Sequence, residues 1–105
     1  MRNKFKLQFA PEAAEHVRSV EKKYYHLIQD TLKSQLSYEP NTETRNRKPL
    51  VPPAPWGATW ELRFGPSNRF RAFYEFDEAE RIVWVLAIAV KEGNRLFVGG
   101  KEMKL

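Results

Sequence analysis

The sequence predicts an α+β domain in which two N-terminal helices pack on a mostly antiparallel four-stranded sheet, and three patterns predict it. Residues 59–91 hold three strand-like segments separated only by short turns. Residues 11–37 carry apolar side chains at three- and four-residue steps, the period of an amphipathic helix. Residues 3–9, NKFKLQF, alternate Phe5, Leu7 and Phe9 against Lys4, Lys6 and Gln8, the period of a half-buried strand.

The stretch from 59 to 91 organises the rest. Trp60, Leu62 and Phe64 alternate with Glu61 and Arg63, and beyond Gly65-Pro66-Ser67-Asn68 the set Phe70, Ala72, Tyr74 and Phe76 alternates with Arg69, Arg71, Phe73 and Glu75. The third segment, Ile82 to Val90, is apolar on both faces and rich in β-branched residues, the composition of a central strand covered above and below. Gly65-Pro66 and the acidic run Asp77-Glu78-Ala79-Glu80 supply the turns of an antiparallel meander. Glu61, Arg63 and Arg71 then point away from the face that Trp60, Leu62, Phe64, Phe70 and Phe76 bury.

Upstream, the strand at 3–9 suits a sheet edge, where its lysines discourage further pairing. Pro11 fits the first turn of a helix, with Glu12 and Glu15 near its positive end. Ala13, Val17, Val20 and Tyr24 form one apolar stripe, and Tyr24 or Tyr25 with Ile28, Leu32 and Leu36 forms a second, offset stripe. With the polar Glu21-Lys22-Lys23 at the junction, the expectation is two helices, roughly 11–21 and 22–37, packed as a hairpin against the sheet. From Tyr38 to Ala58 no apolar period survives, and five of the seven prolines gather there. A structureless loop of about 20 residues in a compact domain is either functional or partly mobile. Its Arg45, Arg47 and Lys48 are either part of a site or incidental charge on a solvated loop. After Val90, Gly93-Asn94 suits a turn, Leu96-Phe97-Val98 a short strand or core packing, and the last five residues are expected to fray.

Composition narrows the function. A chain of 105 residues with 42% hydrophobic side chains fills one core, so one domain over 1–105 is expected. The absence of cysteine excludes disulfides and thiolate metal sites. There is no uncharged apolar run of about 18 residues, and MRNKFKLQF lacks a signal-peptide core, so the expectation is a soluble cytoplasmic protein with no membrane partner. The net charge of +5 is spread as +3 over residues 1–37, +1 over 38–60 and +1 over 61–105. Without a basic tail, any nucleic-acid site has to be a local cluster made by the fold.

His16 and His26 have no partner at ligand spacing, no nucleophile sits in a triad context, and the glycines match no nucleotide-binding loop. No metal and no cofactor is therefore expected. What remains is Glu61, Arg63 and Arg71 on one sheet face. Paired guanidinium groups clamp a phosphate bidentately, and a nearby carboxylate can take the proton of a ribose 2′-hydroxyl. The same three residues also make a cross-strand Arg-Glu-Arg ladder on a solvated face. The pattern leaves both readings open.

The order of elements, with WELRFGPSNRFRAFYEFDEAERIVWVLAIAVKEGNR after the proline-rich loop, resembles the RelE/ParE superfamily of bacterial type II toxins over nearly the whole chain. The resemblance implies the RelE/ParE-like fold and one of two activities. The RelE branch is a metal-independent endoribonuclease that cleaves messenger RNA on the ribosome with a cluster of basic residues; the ParE branch poisons DNA gyrase. It also implies a cognate antitoxin as partner. A binding protein whose ancestral chemistry is lost is a third possibility. Carried over, Arg71 matches the arginine of the family's YR-x-x-Y strand, with Phe70 in place of the first tyrosine, and Arg63 matches a basic position on the preceding strand. Glu61 stands where RelE has a second lysine and where other members place a glutamate base. Lys91 followed by Glu92 stands where RelE has a basic pair, and the late tyrosine has no counterpart beside Phe97 and Val98. The implied catalytic set is Arg71, Arg63, Glu61 and Lys91, with Arg45, Arg47, Lys48, Arg69 and Arg95 as RNA-binding cations.

Overall fold

The computed structural model describes residues 4–54 and 56–104. The expected meander lies at its centre: β3 (Trp60–Phe64), β4 (Phe70–Asp77) and β5 (Ile82–Glu92), each antiparallel to the next. The register slips once. Phe73 pairs with Ala87 and Tyr74 with Val85, which leaves Leu86 as the extra residue of a β-bulge. Before the bulge, Val83 and Val85 face the main core; after it, Ile88 and Val90 do. The run that reads as apolar on both faces is thus largely one face whose phase changes at Leu86. Ala87 and Ala89 are left for the opposite face, where they join Phe73 and Ala58 in a second, smaller core.

Among the described residues the sheet has seven strands rather than the four expected. β2 (Arg47–Pro49) pairs antiparallel with β3, β6 (Arg95–Val98) with β5, and β7 (Lys101–Met103) with β6. β2 and β7 are three residues long and polar, so pairing alone defines them and no periodicity announces them. The expected fraying of the last five residues is corrected by β7 for 101–103; Leu105 lies outside the described residues. β1 (Lys6–Phe9) pairs parallel with the first half of β5, and Phe9 is 39% exposed instead of joining Phe5 in the core.

Two helices follow β1. α1 (Pro11–Arg18) begins with proline at its first turn, where the missing N–H costs nothing, and α2 runs from Tyr25 to Leu36. Between them the backbone at Glu21 is extended (φ −58, ψ 136) and a 3-10 turn spans Lys22–Tyr24, so the junction is longer than the two abutting helices expected. Ala13, Ile28, Leu32 and Leu36 are buried in one core with Phe5, which precedes β1, and with Leu62, Phe64, Phe70, Ala72 and Tyr74 of the sheet. Each of the larger aliphatic side chains stabilises by about 1.5–3 kcal/mol through burial. Tyr74 is fully buried and donates its hydroxyl to the Pro40 carbonyl at 2.7 Å, which ties the chain leaving α2 to the sheet. Among the described residues no helix is long and apolar enough to cross a membrane.

The proline-rich segment is not a solvated loop throughout. Leu50, Ala54 and Trp56 pack on the second core, with the Trp56 ring 5.2 Å from that of Phe73. Leu50 N–H donates to the Thr59 carbonyl and Ala54 N–H to the Ala58 carbonyl. Residues 50–54 and 56–58 thus cover part of the sheet face that the helices leave open.

One histidine completes the sheet. β1 and β6 both use the same edge of β5, β1 reaching Val85 and β6 beginning at Ala89, so Ile88 in between has no strand to donate to. Its N–H donates instead to Nδ1 of His16 on α1 at 3.2 Å. A neutral imidazole accepts this bond and an imidazolium cannot. Burial pulls the His16 imidazole below its usual value of 6.5, with Glu12 partly opposing. The unfolded chain therefore binds this proton more readily than the folded one. The contribution of His16 is complete above about pH 6.5 and is lost as pH falls below that value through the folded-state pKa. In melting experiments His16→Leu is expected to lose about 1–3 kcal/mol at neutral pH, the cost of an unpaired buried N–H. It should also show a shallower acid slope than the parent; an unchanged slope would place the acid sensitivity elsewhere.

Candidate functional site

The site grows from the β3–β4 register. Arg63 sits directly opposite Arg71, and like charges so placed repel unless a carboxylate joins them. Glu61 does so, because period two puts it on the same face two residues before Arg63. Its Oε1 accepts from Nε of Arg63 at 2.7 Å and lies 3.2 Å from Nε of Arg71. Arg71 also donates from Nη1 to the Asn68 carbonyl at 2.5 Å.

The β3–β4 turn presents that carbonyl. Gly65 has φ +84, and a Cβ there would sit 2.5 Å from Cδ2 of Phe70, so only glycine fits. Ser67 and Asn68 follow with φ of 53 each, folding the chain back toward Arg71.

Burial grades the three side chains. Arg63 is 48% exposed, Glu61 12% and Arg71 7%, so the cluster has Arg71 as its floor and Arg63 at its rim. Of the two readings the pattern left open, a fully solvated ladder does not fit these exposures: Glu61 and Arg71 are buried, and of the three only Arg63 is largely exposed. Burial, and then the Arg63 charge, lower the Arg71 pKa from its usual value, while Glu61 opposes them. A guanidinium nonetheless stays charged at neutral pH. Lys48 stands directly across from Glu61 on β2, and Lys91 lies on the Arg71 face of β5, two residues beyond Arg71's partner Ala89. Neither ammonium makes an ion pair among the described residues. Counted together, Lys48, Arg63, Arg71 and Lys91 against Glu61 leave the end of the sheet around the cluster positive, with Glu75 farther along the same face of β4.

Other candidates fall elsewhere. Arg47 pairs with Leu62, which turns it to the helix side. There it is buried, donates to the Gln35 carbonyl near the end of α2, and lies 3.7 Å from Glu39. A cation suits that place because the helix C-terminus carries partial negative charge. Arg69 is turned toward Tyr24, 5.5 Å from the ring centroid, and lies 3.6 Å from Glu92. Arg95, on β6, lies 3.8 Å from Glu102. Arg45 is exposed one residue before Asn46, whose carbonyl accepts the Arg63 N–H. Sequence reasoning missed Asn68. The Gly-Pro-Ser-Asn turn marks a reversal but not that its last carbonyl would hold an arginine.

No protein-family model matches the chain, and no curated relative matches it. Among solved structures, a chain of the toxin-antitoxin complex RelBE2 from Mycobacterium tuberculosis has a similar fold, with TM-score 0.66 at 20% identity. The likeness covers 84% of this chain and 99% of that one. The α+β fold of helices on a mostly antiparallel sheet is thus shared with a chain of that complex.

The graded burial separates the two arginines energetically. Arg71→Ala leaves Glu61 largely desolvated with one partner and is expected to cost about 3 kcal/mol. Arg63→Ala removes an exposed partner and costs about 1 kcal/mol or less. Urea unfolding of the two variants measures the difference; equal small losses would return the cluster to a solvated ladder.

Proposed function

We propose that the chain is the toxin of a type II toxin-antitoxin pair and a metal-independent, ribosome-dependent messenger RNA endoribonuclease. The observation that carries this reading is the carboxylate of Glu61 held between a buried and a half-exposed arginine at the positively charged end of a sheet face. In the proposed step, Glu61 takes the proton of a ribose 2′-hydroxyl as that oxygen attacks phosphorus. The bond to the 5′-oxygen breaks, and that oxygen takes a proton from solvent. Glu61 has to exchange one arginine bond for the hydroxyl, and Arg63 is the partner free to leave. Swung outward, its guanidinium meets the phosphoryl oxygens whose charge grows in the transition state. Arg71 has no such freedom and serves to hold Glu61 in place.

Few cations ring the site, so phosphate contacts alone support only weak binding to free RNA. A ribosome that presents the message supplies the missing grip. The fold shared with a toxin-antitoxin complex supports a cognate antitoxin as the partner, and a chain of pI about 9.6 calls for an acidic one. An apolar groove of about 320 Å³ lined by Phe9, Ala14, Val17, Tyr25 and Ile28 offers such a partner a place for its apolar side chains. This reading places the protein in the cytoplasm.

Two measurements test it. On induction without a partner, amino-acid incorporation is expected to stop before DNA synthesis does; the reverse order would favour gyrase as target, and normal growth with abundant folded protein would leave only a binding role. On programmed ribosomes, Glu61→Gln and Arg63→Ala are each expected to cut cleavage about 10²-fold, the scale lost when a proton acceptor or a preorganised donor is removed. Full activity in both variants would remove the catalytic assignment.

A further inference from the structure

A cleft of about 430 Å³ opens beside the cluster, lined by Pro66, Ser67, Arg69, Lys91 and Gly93. Its walls are the β3–β4 turn and the β5–β6 turn, brought to one end of the sheet by the Lys91 N–H, which donates to the Arg69 carbonyl at 2.7 Å. We infer that this cleft is a second phosphate subsite, which holds the phosphate next to the one cleaved at Glu61 and Arg63; the inference rests on the endoribonuclease reading.

Four observations point to a phosphate. The Lys91 ammonium has no ion-pair partner and the Ser67 hydroxyl no hydrogen bond among the described residues, so a cation and a donor stand uncommitted on opposite walls. No carboxylate among the described residues lines the cleft: Glu92, the nearest in sequence, is 3.6 Å from Arg69 and lines a different cleft with Tyr24 and Phe97. No aromatic ring of the described residues lines it either, so a nucleobase would find nothing there to stack on. Gly93 has φ +61 and open space where a Cβ would be, so the backbone leaves the mouth clear.

Position makes this a subsite of the same strand of RNA. Lys91 lies on the Arg71 face, two residues along β5 from Ala89, which pairs with Arg71. Lys91 thus lies two residues along the strand and two strands across from Arg63, about 12 Å between backbone positions, a span that the long Arg63 and Lys91 side chains can narrow to the scale of one nucleotide step in an extended single strand. The Asn68 carbonyl that holds Arg71 belongs to the turn that forms the cleft wall, so the two sites are built on one support. Lys91 accordingly positions substrate and takes no part in proton transfer. An ammonium is suited to that task, because it meets a phosphate as a point charge without demanding a planar fork.

The test uses programmed ribosomes whose message carries an uncharged methylphosphonate at either linkage flanking the cleaved one. For the parent protein, one of the two substitutions is expected to raise KM about tenfold with kcat nearly kept, the size of one charge-assisted contact. Lys91→Gln is expected to raise KM similarly on the normal message. Ser67→Gly, which keeps the positive φ, should do so less. With Lys91→Gln, the methylphosphonate should cost nothing more, because both changes remove the same contact. An unchanged KM in Lys91→Gln, or two losses that simply multiply, overturns the subsite while leaving the endoribonuclease reading intact. Failure of the parent to cleave any ribosome-bound message removes both. If Lys91→Gln instead weakens only the complex with an acidic antitoxin, the cleft holds a peptide carboxylate and the inference is wrong.

Discussion

The extra residue at Leu86 is the constraint on which the rest of the molecule depends. Side chains of a strand alternate strictly, so a strand of eleven residues with a fixed phase offers each face one set of positions. By changing phase midway, β5 gives its large aliphatic groups, Val83, Val85, Ile88 and Val90, to the helices. The opposite face receives small residues, Ala87 and Ala89, against which Leu50, Ala54, Trp56 and Ala58 can lie closely. Without the slip, Ile88 would turn away from α1 and α2, and the second face would be too bulky for its thin cover.

The same bulge marks a division of labour along the strand. On the Asp77 side, β1 pairs in parallel, and Phe5, the residue just before it, packs edge-on against Phe76 at 6.3 Å. On the other side, β6 pairs antiparallel and the charged cluster lies across β3 and β4. Between them neither neighbour reaches Ile88, and a histidine from α1 supplies the acceptor. A buried N–H must be paired, so the helix is held to the sheet edge by a hydrogen bond as well as by packing.

Burying Glu61 and Arg71 is costly, and replacing such a pair with apolar residues often leaves a protein as stable or more so. Apolar neighbours surround it: Phe73 pairs with Glu61, and Ala89 lies between Arg71 and Val98. A fold needing only stability would have little use for charge at that position. The arrangement makes sense if the carboxylate is held ready, with one guanidinium fixed beneath it and another able to leave. Preorganised charge of this kind acts most strongly where water is scarce.

Much of this was legible in the sequence, and the limits have physical causes. β3 and β4 were readable because one face is buried and the other polar, so period two survives in the residues; the closeness of Glu61, Arg63 and Arg71 follows from that period and a short turn. The helices were readable for the same reason at a period of 3.6, and the offset of their stripes marked the junction at Glu21, although not its extended backbone and 3-10 turn. Residues 50–54 and 56–58 were not readable, since Leu50, Ala54, Trp56 and Ala58 pack through irregular backbone that has no period. β2 and β7 exist only through their partners. Arg47 and Lys48 are adjacent in the chain, yet pairing with β3 sends one into the helix side and the other beside Glu61. The sequence by itself determined which charges lie near one another along the meander, because local alternation dictates it. Only the tertiary structure decided which of them is buried and which is free to meet a substrate, because that depends on cover from residues distant in the chain.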